Sequence, residues 1–272
     1  MKARLAFLLQ GLRQPRPTLS ASLWQQTLAH SPVFRHLSAQ ERERLKTLSQ
    51  DFLREKEFTG AAGLELSDPM RVHIAAQACL PILELGLAAY RDWVGVIVYP
   101  AEFIIPRQIM DESGVVHEYE DTASGEAWEG GPVILSWQDS QMEDEGYNVI
   151  IHEFAHKLDM LNGEVDGIPA LHSGLQLDEW KTTLQASYED FCKRVDRNDD
   201  PALDPALDPI LDPILDPILD PYGAEHPSEF FAVSSEAFFG NPEGLGALYP
   251  RWYELLSRYY RQNPLERRLT SP

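Results

Sequence analysis

"NVIIHEFAHKLDML" occupies residues 148–161 and carries His152, Glu153 and His156 in the pattern H-E-x-x-H. On a helix, positions i and i+4 share a face, so both imidazoles reach one point in space while Glu153 flanks it. Zinc takes neutral imidazole nitrogens, and a catalytic zinc keeps three protein ligands plus an exchangeable water. Glu153 then stands where a base toward that water is needed. With 8 histidines and 24 glutamates in 272 residues, random order yields only about 0.02 such matches. The flanking Val149, Ile150, Ile151, Phe154, Ala155 and Leu158 make this a buried helix, where imidazoles without partners are costly. The alternative is a core helix whose two histidines are satisfied by ordinary hydrogen bonds.

A third ligand must come from elsewhere. A metzincin continuation requires Gly at 159 and His at 162; Asp159 and Asn162 stand there, which excludes that class. "YGAEHPSEFFAVSSEAFF", residues 222–239, offers Glu229 and Glu236 on an apolar segment that reads as helix after a cap at Ser228. Either carboxylate is expensive to bury without a metal or a partner. His226 is a rival of lower rank, since it lies outside the helix beside Pro227. Asp159 and Glu236 are also placed to accept an imidazole N–H, or equally to be solvated or to cap a helix.

Outward from this helix, the chain reads as an α+β fold, mainly helical with a small antiparallel sheet. Residues 20–90 are expected to be helical: "SAQERERLKTLSQDFLREKEF" sets Leu45, Leu48, Phe52 and Leu53 at helical spacing after a cap at Ser38. "MRVHIAAQACLPILELGLAAY" is a more apolar helix pair broken near Pro81. From Trp93 to residue 137 the texture is β-branched and aromatic, in "WVGVIVYP", "GVVHEYED" and "EAWEGGPVILSW", with turn residues such as "TASG" between. Residues 140–272 return to helical texture. The expected organisation is an arm over residues 1–19 and one domain over 20–272. The arm, "MKARLAFLLQGLRQPRP", has a basic start and an apolar run that ends at Gln10 without a small-residue cleavage site, so a cytoplasmic protein is expected.

Residues 202–221 read ALDP ALDP ILDP ILDP ILDP. Proline at every fourth position removes amide donors and forces each preceding Asp out of the α region, so no helix runs through. A calcium array of Asp204, Asp208, Asp212, Asp216 and Asp220 lacks the glycines and ligand clustering of calcium loops, and a surface loop is expected. The chain holds 23 basic against 43 acidic side chains, a net charge of −20. Such a surface repels phosphate backbones and anionic lipid, so neither nucleic acid nor a membrane is an expected partner. Cys79 and Cys192 are too few for a disulfide framework and read as buried thiols in a reducing compartment.

"HEFAHKLD" together with "YGAEHPSEFFAVSSEAFF" resembles the Mlc titration factor A family, zinc-dependent peptidases whose catalytic core is similar to that of anthrax lethal factor. The resemblance extends upstream through "FLREKEFTGAAGLELSDPMRVHIAAQACLPILELGL", "VIVYP", "GVVHEYEDTASGEAW" and "GPVILSW". It implies a zincin-like domain with one Zn²⁺ per chain. It also implies a tyrosine seven residues before the ligand glutamate; Tyr222 stands seven before Glu229, which selects Glu229 over Glu236. His152, His156 and Glu229 are then the metal ligands, Glu153 the catalytic base and Tyr222 the donor to the oxyanion. The repeat departs from the family pattern and ends at Pro221, immediately before Tyr222. The resemblance implies an aminopeptidase-like activity on short peptides and, from the family's name, binding and sequestration of an Mlc-like repressor. The alternative function is a non-catalytic repressor-binding protein with a structural or vestigial metal site. Val133–Ser136 is expected either as an edge strand pairing with substrate backbone or as a plain core strand.

Overall fold

The computed structural model describes residues 19–110, 116–142, 147–199 and 218–270. Nearly all of the expected N-terminal arm and residues 202–217 of the expected repeat loop therefore lie outside the described residues.

Serines open the first helices. Ser20 accepts from the Leu23 N–H to cap α1 (Ala21–His30). Ser38 starts α2 (Ala39–Glu55) with a reciprocal capping box: its hydroxyl accepts from the Glu41 N–H and the Glu41 carboxylate accepts from the Ser38 N–H at 2.8 Å. Next come β1 (Glu57–Gly60) and α3 (Asp68–Cys79), the latter buried from Val72 to its end. α3 stops just before Pro81, as expected, but no second α-helix follows it: turns and a short 3-10 turn, Leu87–Tyr90, stand there and correct the expected helix pair. The residues of β1 correct the expectation of an all-helical 20–90 segment.

The strands that follow are β2 (Gly95–Tyr99), β3 (Phe103–Met110), β4 (Val116–Ala123), β5 (Gly125–Ala127) and β6 (Val133–Ser136). The main sheet has the order β1-β2-β6-β5 and is mixed: β1 and β6 both run parallel to β2, and only β5 is antiparallel to its neighbour. β3 and β4 form a separate antiparallel hairpin. The expectation of an antiparallel sheet is therefore corrected for the central strands. The reason is connectivity: α3 carries the chain back between β1 and β2, so both strands enter the sheet in the same direction.

The core explains the texture of these strands. Val96, Val98, Val133 and Leu135 face the main hydrophobic core, while Ile134 packs with Phe103 and Ile105 of β3, and Ile97 and Tyr99 join them. A strand covered on both faces reads as a continuous apolar run. β6 is thus interior, which corrects its reading as a substrate-pairing edge; β5 is the edge.

The remaining helices are α4 (Val149–Asp159), α5 (Leu177–Asp199), α6 (Pro227–Gly240), α7 (Pro242–Leu248), α8 (Pro250–Tyr260) and α9 (Pro264–Thr270). The last four each begin with proline, whose fixed φ suits a first turn. α4 is buried over its whole length, between α6, α3 and strands β5 and β6. Phe154 anchors it among Phe52, Tyr90 and Trp93, with ring centroids 5.2–5.7 Å from its own. Among the described residues, no helix is long and apolar enough to cross a membrane.

Candidate metal centre

Asn148 caps α4: its Oδ1 accepts from the Ile151 N–H at 2.9 Å. One turn in, His152 and His156 project from the same face with their Nε2 atoms 3.1 Å apart. Glu229, in the first turn of α6, brings its Oε2 to 3.1 Å from each of these nitrogens. The three expected ligands therefore meet in space across more than seventy residues of sequence, and their donor atoms form a nearly equilateral triangle. Ligands of tetrahedral zinc, at bonds of about 2.0–2.1 Å, stand roughly 3.3 Å apart, so the triangle fits such an ion. His226, the rival ligand, is used elsewhere. It caps α6, its Nδ1 accepting from the Ser228 N–H at 3.3 Å, in place of the expected cap at Ser228.

Two turns further along α6, Glu236 is almost fully buried and accepts from both sides. One oxygen lies 2.7 Å from His152 Nδ1 and the other takes the backbone N–H of Asn148. Glu236 therefore holds the His152 proton on Nδ1, which turns the Nε2 lone pair toward Glu229 and His156. Lone pairs converging on a carboxylate oxygen call for positive charge between them, carried by a proton or by a cation. Burial opposes charge on His152, but hydrogen bonds with Glu229 and Glu236 outweigh it and raise the imidazole pKa well above its usual value. Burial likewise opposes charge on Glu229, yet its bonds to His152 and His156 hold that carboxyl well below the usual carboxylate range. A divalent ion answers the same demand and leaves both imidazoles neutral, the form in which they ligate.

Asp159, expected either to accept an imidazole N–H or to be solvated or a cap, is fully buried and makes no hydrogen bond to a histidine. Its Oδ2 accepts from the Gly167 N–H at 2.9 Å, and burial pushes its pKa up to about 7. Its Oδ1 and His156 Nδ1 are both buried without a hydrogen-bond partner.

Glu153, next to His152 on α4, lines the same cavity as the trio and is 4% exposed, with its Oε2 unpartnered and its pKa raised by burial. The cavity, of about 570 Å³, is walled by residues 122–127, Tyr147, the trio, and Asp220, Tyr222 and Glu225. Tyr222 lies in a short 3-10 turn, Pro221–Ala224, capped by Asp220, 47% exposed, with its ring centroid 6.1 Å from that of His152. The structure thus brings Tyr222 beside the trio, on the rim of the cavity.

Gly125 was not singled out by sequence. A Cβ there would stand 2.4 Å from Glu153 Oε1, so only glycine lets β5 run this close to the carboxylate. Lys157 is a second such residue. Buried behind the helix, its Nζ donates to the Trp128 and Gly131 carbonyls and so ties the β5–β6 turn to α4. Neither carries a local signal: one sits in a turn-like "TASG" and the other reads as a solvated charge.

The profile of the family described as "Glucose-regulated metallo-peptidase M90" matches residues 10–261. Among curated proteins, "Mlc titration factor A" of Klebsiella pneumoniae subsp. pneumoniae is 35% identical over 248 residues, 90% of this chain and 88% of the relative. The protein of the same name from Escherichia fergusonii is 34% identical over 262 residues, covering 95% and 93%. That from Salmonella arizonae is 36% identical over 248 residues, covering 90% and 92%. With matches of this extent and a His-His-Glu trio whose two histidines are buried and whose glutamate is half-buried, the chain belongs to the glucose-regulated metallo-peptidase M90 family.

Proposed function

We propose that the protein is a zincin-like, zinc-dependent peptidase of aminopeptidase type acting on short peptides in the cytoplasm, with one ion held by His152, His156 and Glu229. The observation that carries this reading is the triangle of three donor atoms 3.1 Å apart beside an unpartnered, buried Glu153 carboxylate. A zinc ion in that trio would polarise a carbonyl and acidify a water, as in other three-ligand sites. Glu153 takes the proton of the attacking water and passes it to the leaving amine. Tyr222, on the rim beside His152, donates a hydrogen bond to the oxygen on which charge develops. The edge strand β5 offers backbone groups to an extended peptide. Glu126, Asp220 and Glu225 give the cavity wall a charge that suits a substrate ammonium, which supports the aminopeptidase reading.

The test is zinc content by elemental analysis beside hydrolysis of a chromogenic amino-acid amide, in wild type, Glu229→Ala, Glu236→Ala and Glu153→Gln. Glu229→Ala is expected to lose both zinc and turnover. Glu153→Gln is expected to keep the metal and lose at least about 100-fold in kcat. A wild type that binds no metal when zinc is supplied in excess ends this reading.

The relatives' name supports a second role, binding of an Mlc-like repressor at a surface outside the metal site. Glu153→Gln separates the two: a repressor-binding role survives in it, whereas peptide cleavage does not.

A further inference from the structure

Gln77 is a polar side chain with no exposure, in the apolar run "HIAAQACL" of α3. Burial of an amide is tolerated only if it is hydrogen-bonded, and its bonds lead to the metal centre. Gln77 Oε1 accepts from Asn148 Nδ2 at 2.6 Å. The direction is fixed by the cap of α4: Asn148 Oδ1 is engaged by the Ile151 N–H, so the other end of that amide must be its donor. The same residue's backbone N–H donates to Glu236, and Glu236 accepts from His152 Nδ1. On the far side, Gln77 Nε2 lies 2.8 Å from His73 Nε2. One buried chain therefore joins α3, the start of α4 and the middle of α6, and it ends on a proposed zinc ligand.

We propose that Gln77 and Asn148 are positioning residues for His152. Gln77 holds the Asn148 side chain, and Asn148 in turn fixes the Glu236 carboxylate through its backbone N–H. Glu236 then keeps the His152 proton on Nδ1 and its Nε2 lone pair in the trio. This rests on the zinc-site reading above but goes beyond it, since neither residue touches the ion or the cavity. Partners that orient a ligand typically change metal affinity about 10- to 100-fold, so a residue one link further out is expected to cost several-fold to about 10-fold.

The experiment compares wild type, Gln77→Leu, Gln77→Glu and Asn148→Asp. Gln77→Leu deletes the acceptor for Asn148 at similar volume, whereas Gln77→Glu keeps an oxygen there. Asn148→Asp keeps the cap acceptor and loses the donor to Gln77. Zinc affinity is read by competition with a chromophoric chelator. The His152 Nδ1 proton is read in the zinc-free protein as a low-field NMR signal with its rate of exchange with water. Circular dichroism and urea midpoints check folding. Gln77→Leu and Asn148→Asp are expected to bind zinc several-fold to about 10-fold more weakly and to exchange that proton faster, with Gln77→Glu close to wild type. If Gln77→Leu does not fold, Asn148→Asp decides alone. Wild-type affinity and wild-type exchange in the folded variants would overturn the proposal. A wild type that binds no zinc would instead sink the metal reading, while the exchange of the His152 proton would still decide whether the chain positions it.

Discussion

Gly125 and Glu153 lie in different elements, yet a Cβ on the first would stand 2.4 Å from the carboxylate of the second. Gly125→Ala is therefore expected to displace Glu153 without touching His152, His156 or Glu229. On the proposed function, zinc content should stay at one per chain while kcat falls about 10- to 100-fold, the penalty for misplacing a catalytic group by an ångström or so. Unchanged kcat in a zinc-loaded variant would show that Glu153 adjusts freely. The same contact shows where sequence reading stops at this scale. His152, Glu153 and His156 were legible because helical geometry alone brings them together. Glu229 was narrowed to two glutamates by burial and then selected by the family spacing to Tyr222. Gly125, Gln77 and Asn148 carry no such pattern, because their roles depend on which distant atom each one meets.

Elements were legible where their ends are chemical. Ser38 caps α2 as expected, the structure adds the reciprocal bond to Glu41, and Ser38→Ala removes one of these two bonds at an exposed site. The expected cost is about 1 kcal/mol, read as a lower urea midpoint with an unchanged slope. For a chain of this size that corresponds to a fall of roughly 2–4 °C in Tm. A midpoint equal to wild type would mean that α2 is held by packing of Leu45 and Phe52 and owes nothing to its cap. Strand direction was not legible, since "GVIVY" and "VILS" are apolar on both faces whether their neighbours run parallel or antiparallel. β1 was missed because four residues directly after a seventeen-residue helix give no window for a period of two. The metal helix needs both, for the parallel strands form the layer on which α4 lies and β5 supplies the edge beside Glu153.

At the scale of the whole molecule, a net charge of −20 describes the surface and hides two cations in the core. Lys56 donates to the Tyr90 and Trp93 carbonyls, and its ammonium lies 3.8 Å from the Trp93 ring centroid, with Lys157 at 4.9 Å from the same ring. Burial lowers the pKa of Lys56 to about 8, against about 10.4 in an unfolded chain. Between those values the unfolded state binds a proton that the folded state has released, so stability rises with pH across this window. Half-buried Tyr147, raised to about 12, and buried Cys79, also raised, act in the opposite sense: above about pH 9 the unfolded chain loses protons that the folded chain keeps. Groups of both signs overlap in this range, so the contribution of Lys56 shows only by difference. Urea unfolding of wild type and Lys56→Met, at about pH 7.5 and about pH 9.5 with chelator present in both, reads it together with the effect of the Lys56 charge on the neighbouring Lys157. Wild type is expected to gain stability over the variant as pH rises, because the neutral amine still reaches both carbonyls while its desolvation cost disappears. Parallel profiles would mean that the carbonyls and the Trp93 face already compensate the buried charge in full.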